Sequence, residues 1–182
     1  MAHEWYYNTD TNPWKLIKEF DGFRYDTDYA GTQRTDGVRI VNKVFPDEEE
    51  AINYVTKTSY YSGYAYMVIC TNNKKLSKGY GNALSNFFLR YKEYVNFNDN
   101  LTIAYGRKSS KATCPHCGSS ISLKYGDRFK ACPICGSQKI ISDSNWKVLD
   151  TKKRLAEKAA ENLSKEAKKN NVKFICGFEW HC

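Results

Sequence analysis

Cys114-Pro115-His116-Cys117-Gly118 and Cys132-Pro133-Ile134-Cys135-Gly136 repeat one five-residue pattern, with fourteen residues between the two inner cysteines. Four thiolates at the spacing C-x2-C-x14-C-x2-C can close around one tetrahedral ion. Gly118 and Gly136 each follow a second cysteine, where a flexible backbone lets amides point at the sulfurs. Between the pairs, Ile121-Ser122-Leu123-Lys124-Tyr125 alternates, Gly126-Asp127 suits a tight turn and Arg128–Ala131 returns, so a β-hairpin is expected there. The competing reading is two disulfides. The chain has seven cysteines, an odd number, and its opening Met1-Ala2-His3-Glu4-Trp5 has neither a basic start nor an apolar stretch to serve as a secretory signal. One structural Zn2+ is therefore the expected cofactor, with Cys114, Cys117, Cys132 and Cys135 as its ligands. Four cysteine ligands leave no open position for water or substrate, so the site is structural rather than catalytic.

Working outward, the chain has 182 residues, 26% charged and 41% hydrophobic, a globular composition with room for a real core. No apolar run approaches the length of a membrane span, so no membrane partner is expected and the protein is placed in the cytoplasm. The formal net charge of +8 is unevenly distributed. Residues 1–56 hold 6 basic and 11 acidic side chains, whereas residues 57–182 hold 22 and 9. A basic remainder of that size suits an anionic partner, nucleic acid first among them, although a merely solvated basic surface is the bland alternative. The residues assigned to nucleic-acid or partner binding are Lys74, Lys75, Lys78, Arg107, Lys108, Lys111, Lys124, Arg128 and Lys130. Arg128 and Lys130 fall on one face of the expected hairpin. Tyr125 and Phe129 either stack a base or pack over the knuckles, and the residues leave both open.

Residues 112–138 resemble a zinc ribbon, the rubredoxin-like module with two CPxCG knuckles. The resemblance covers about 27 residues of the chain and implies that the four knuckle cysteines are metal ligands. Rubredoxins use similar knuckles for iron and electron transfer; the short inter-knuckle hairpin inside a larger basic chain favours zinc. The wider layout, rich in Asn, Lys, Tyr and Ser and poor in Pro, resembles small zinc-ribbon proteins of low-GC bacteria and their phages.

The rest of the chain reads as α+β. Asn12-Pro13 suits the start of a short helix before Trp14, Ile17 and Phe20, although the alternation Trp14–Leu16 allows a strand. Val38–Phe45 reads as a strand, and Pro46-Asp47-Glu48-Glu49-Glu50 opens a helix whose acidic first turn complements the helix dipole. Gly63–Thr71 fits a buried strand, Asn82–Asn96 an amphipathic helix, and Leu101–Tyr105 a further strand. Residues 106–111 read as a polar basic linker, and Asp150–Lys169 as a long helix. From Val172 to Cys182 the pattern has period two, which makes a strand and sets His181 away from Cys176 and Cys182; these thiols, with Cys70, are read as core. The expected architecture is a small mixed sheet with flanking helices, an inserted four-cysteine ribbon, and a C-terminal helix and strand returning to the sheet. The domains are 1–110 as an α+β domain, 111–142 as the ribbon, and 143–182 as a helix and strand packing on the first domain.

No P-loop, nucleophile elbow, zincin or dinucleotide motif is present in the sequence, and Gly79-Tyr80-Gly81-Asn82 before a helix could accept an anion beside Lys78, although a short Gly pair is more often a turn. With three histidines and no paired nucleophile and base, no catalytic residue is assigned and no enzyme is expected. Two function classes follow. One is a zinc-ribbon accessory protein that binds nucleic acid or a nucleoprotein complex through a basic face. The other is a phage or mobile-element modulator that binds and inhibits a host protein target, such as a polymerase or a CRISPR-type effector.

Overall fold

The computed structural model describes residues 3–21, 38–62, 65–99, 110–114, 116–123, 132–136 and 141–181. By its internal packing the chain divides into two compact units, one of residues 1–88 with 157–182 and one of residues 89–156.

The first unit is built on a four-stranded mixed sheet of order β1-β7-β3-β2, where β1 is His3–Asp10, β2 Arg39–Phe45, β3 Tyr66–Cys70 and β7 Lys173–His181. Strand β7 runs antiparallel to both β1 and β3, and β2 joins β3 in parallel. The last strand in the sequence thus holds a central place, and the expected return of the C-terminus to the sheet is met. Its period-two pattern is only half of its packing, because Phe174, Ile175, Cys176, Gly177 and Phe178 are all buried. Both faces of the sheet are covered. Helix α2, Glu48–Ser62, packs on the face that carries Tyr66, Val68, Cys70 and Ile175, and lays Ala51 and Val55 into that cluster. Helix α1, Pro13–Asp21, takes the opposite face, where Tyr6 and Asn8 reach Glu19 and Tyr6 lies against Phe20.

Register explains a glycine in the middle of β7. Gly177 stands opposite Tyr7 and Tyr66, on the α2 side. A Cβ there would lie 2.1 Å from Val55 Cγ1 and 2.9 Å from Tyr7 Cδ1. Only glycine lets the helix approach this closely.

Helix starts follow local capping. Asn12 Oδ1 accepts from the Trp14 and Lys15 amides at 3.0 and 3.3 Å, which caps α1 as its sequence suggests. Asp47 Oδ1 does the same for Glu50 in α2. Helix α3 runs Lys78–Asp99, so the expected turn at Gly79–Asn82 is instead its first turn. The reason is Ser77, whose Oγ accepts from the Tyr80 amide at 3.1 Å and caps the helix. Helix α4 is Asp143–Lys169, and begins before the stretch that its apolar stripe alone marks. No described helix is long and apolar enough to cross a membrane.

The second unit holds a three-stranded sheet of order β5-β4-β6, where β4 is Ser110–Thr113, β5 Ser120–Leu123 and β6 Ile141–Ser142. Ser110 and Lys111, expected to end a linker, form the start of β4 instead, since they pair with Leu123 and Ser122. The expected strand at 101–105 lies outside the described residues, as do the turn and return arm of the hairpin at 124–131.

Candidate metal centre

Strand β4 leads directly into Cys114, and the first knuckle is the turn that reverses the chain into β5. Within it the Gly118 amide donates to Cys114 O at 2.8 Å, and the Cys114 amide donates to Ser119 O at 3.1 Å. The second knuckle repeats the device: the Gly136 amide donates to Cys132 O at 2.9 Å. Gly118 and Gly136 have φ of 71° and 74°, the left-handed region that favours glycine. The two sequence repeats are thus two copies of one turn.

These turns aim four sulfurs at one point. Cys114 Sγ lies 3.6 Å from Cys135 Sγ and Cys117 Sγ 3.8 Å from Cys132 Sγ, and all four lie within 4.8 Å of one another. A tetrahedron with zinc–sulfur arms of about 2.3 Å has edges of about 3.8 Å. The donor set and its dimensions therefore fit one structural zinc ion. Cys114 and Cys132 are buried; Cys117 and Cys135 are exposed. The Ile134 amide points at Cys132 Sγ from 3.4 Å, the kind of N–H···S contact that supports a thiolate. Beside Cys117, the Ser119 hydroxyl at 3.1 Å and the Ser119 backbone amide hold the thiol down to about 6. A thiol so placed is already poised as a ligand.

Searched against protein-family models, curated proteins and solved structures, the chain matches none. The metal-binding reading of the cysteine cluster therefore stands on its own geometry.

One supporting residue escapes the knuckle pattern. Trp146, in the first turn of α4, donates its indole N–H to Cys114 O at 3.2 Å, and its ring edge stands 3.5 Å from where a Gly118 Cβ would be. Its signal in the sequence is a lone tryptophan in a polar segment just past the ribbon, flanked by Asn145 and Lys147. It fixes the backbone behind the first ligand, as outer-shell partners of metal sites do. His116 is exposed and outside the cluster. Cys70 and Cys176 are buried in the sheet of the first unit, as expected of core thiols; burial, then Glu48 and Asp47, push the Cys70 thiol up.

The residues assigned to partner binding divide. Lys74 and Lys75 are exposed in the loop from β3 into α3, Lys78 is exposed at the start of α3, and Lys111 is exposed on β4. Arg107, Lys108, Lys124, Arg128 and Lys130 lie outside the described residues. The loop is well braced. Asn170 Oδ1 accepts from the Ser77 amide at 2.8 Å, Asn170 O accepts from Asn73 Nδ2 at 3.0 Å, and Asn171 Nδ2 donates to Asn72 at 2.9 Å. The lysines are thus presented by a backbone tied to the end of α4.

Proposed function

We propose that the protein is a non-enzymatic zinc-ribbon accessory factor that works in the cytoplasm and binds nucleic acid, or a complex containing it, through its basic region. The observation that carries this is a closed four-thiol site within a stretch of chain, residues 57–182, that holds 22 basic against 9 acidic side chains. The metal's place is structural, since its four ligands leave no position for a substrate. Lys74, Lys75, Lys78 and Lys111 are exposed and without an ion-pair partner among the described residues, so their charge is available to phosphates. The test is titration of the zinc-loaded chain with mixed-sequence DNA and RNA across a salt series. Binding in the micromolar range that weakens steeply with salt supports the reading, and absence of binding to either overturns it.

A second reading is favoured by the exposed acidic start of α2, residues 47–50, in the acidic opening of the chain. In it the chain is a phage or mobile-element modulator that occupies a nucleic-acid-binding surface of a host machine. A stable complex recovered from host lysate after nuclease treatment, by a chain that binds no nucleic acid itself, supports this one.

A further inference from the structure

The four knuckle sulfurs are not equivalent. In each knuckle the first cysteine is buried, Cys114 or Cys132, and the second is exposed, Cys117 or Cys135. The exposed pair sits at the knuckle tips, where His116, Gly118, Pro133, Ile134 and Gly136 are exposed as well. Close approaches cross from one knuckle to the other. Cys114 Sγ meets Cys135 Sγ at 3.6 Å, and Cys117 Sγ meets Cys132 Sγ at 3.8 Å. Each of these pairs joins one exposed sulfur to one buried sulfur, and the two pairs share no member. A zinc ion needs four sulfurs at such distances but is indifferent to which of them solvent reaches. The division into two exposed and two buried thiols has its consequence elsewhere, in what the cluster can react with.

We propose that the cluster is a peroxide-sensitive modification site, in which each exposed thiolate is the point of attack and the buried sulfur across the cluster resolves it into a disulfide. Solvent-accessible thiolates poised beside a resolving cysteine are the ones that oxidise reversibly. The Cys117 sulfur attacks one oxygen of hydrogen peroxide. The O–O bond breaks, a sulfenic acid forms, and the other oxygen leaves as water after taking a proton from solvent. The Cys132 thiolate then attacks the sulfenic sulfur, the S–S bond forms, and the hydroxyl leaves as a second water with a second proton. Two thiolates have lost two electrons, and one peroxide has become two waters. Cys135 and Cys114 complete the same step with a second peroxide. Each pair closes by under about 2 Å to reach the disulfide length of about 2.0 Å. Disulfide sulfurs carry no charge with which to hold a zinc ion, so the oxidised knuckles lose it together with the folding free energy that binding supplies. The ribbon thus unties under peroxide and closes again when a dithiol and zinc are restored. The site acts through the metal centre, whatever partner the basic region binds.

The experiment is titration of the full, reduced, zinc-loaded chain with hydrogen peroxide in the presence of a chromogenic zinc indicator. Remaining thiols are then blocked and the peptides mapped without reduction. Zinc is expected to be released as knuckle thiols are lost, and the peptides are expected to be joined Cys117 to Cys132 and Cys114 to Cys135. The buried Cys70 and Cys176 are expected to keep their thiols. A dithiol reductant with added zinc is expected to restore the metal content. Cys117→His keeps a ligand of a kind that zinc accepts. It is expected to retain zinc, to yield only the link from Cys114 to Cys135, and to release metal roughly twofold more slowly, since one of the points of attack is gone. Cys117→His/Cys135→His is expected to hold zinc at peroxide concentrations that empty the wild type. Should a histidine variant bind no zinc, the peptide map of the wild type decides alone. Links within a knuckle overturn the crossed pairing. Zinc retained by the wild type while Cys70 or Cys176 oxidises, or sulfinic and sulfonic acids in place of disulfides, overturn the modification site itself.

Discussion

At the scale of single residues, Gly177 is where β7 admits the close approach of α2. Its neighbours there have little room to give: Val55 is fully buried, and Tyr7 is held by a hydroxyl contact to Thr56. Gly177→Ala is expected to lower stability by about 1–3 kcal/mol, the usual cost of forcing a methyl group into a packed core, read as a shift in urea midpoint. An unshifted midpoint means that α2 can withdraw without loss. Tyr80 presents the reverse case. It is 2% exposed, its hydroxyl has no partner among the described residues, and burial pushes its phenol up to about 12. Tyr80→Phe is expected to raise stability by about 1 kcal/mol, since it removes an unsatisfied polar atom. A fall in stability shows instead that the hydroxyl has a hydrogen-bond partner, water or a residue outside the described ones. Neither residue announces its role in the sequence. Gly177 sits in an alternating run where any small residue satisfies the pattern, and Tyr80 lies between two glycines that suggest a turn. Only tertiary packing distinguishes them.

At the scale of elements, what is legible depends on whether the cause is local. The start of α1 was readable because Asn12 and Pro13 act on amides within three residues of themselves. Asn12→Ala is expected to cost about 1 kcal/mol in thermal or chemical unfolding. The same corner has a mild acid dependence. Burial alone would raise the Asp10 carboxyl, but the hydrogen bond from Lys15 at 2.8 Å and the amides of Asn12 and Thr11 hold it below the ordinary carboxylate value. A carboxyl depressed in the folded state stabilises fully above its unfolded pKa of about 3.9, and that contribution is lost as pH falls through the lower folded value. Asp10→Asn is expected to remove a few tenths of a kcal/mol at neutral pH and almost none near pH 2, because Lys15 is largely exposed and the pair is weak. Strand β1 was the harder element, and β7, read as a strand from its period, gave no sign of its central place. His3–Asp10 lacks apolar alternation because it is an edge strand, and β7 is apolar on both faces because helices cover both. On α4 the basic run Lys152-Lys153-Arg154 is only partly exposed, since Lys152 and Lys153 are half-buried and Lys152 leans over the Phe97 ring.

At the scale of the whole chain, the four metal ligands were legible and the sheet order was not. Two knuckles need only a fixed local spacing to specify four ligands, whereas placing the last strand beside the first requires contacts across almost the entire sequence. That difference in origin predicts a difference in stability. In the second unit the described strands are four, four and two residues long, and among the described residues the buried side chains around the knuckles are chiefly Thr113, Ile121 and Cys114 with Cys132. So small a core does not sustain a fold by itself, and in such modules metal binding supplies the folding free energy, on the order of 10 kcal/mol. The first unit has its own four-stranded sheet and an aromatic-aliphatic core that includes no knuckle residue. Elemental analysis of fresh reduced protein is therefore expected to find about one zinc per chain. Stripping it with a strong chelator, or substituting Cys114→Ser, is expected to abolish amide hydrogen-exchange protection in β4 and β5. Protection in β3 and β7 should persist, because their hydrogen bonds belong to a sheet whose cohesion is hydrophobic. Equal loss of protection in β3 and β7 would show instead that the metal holds the entire chain together.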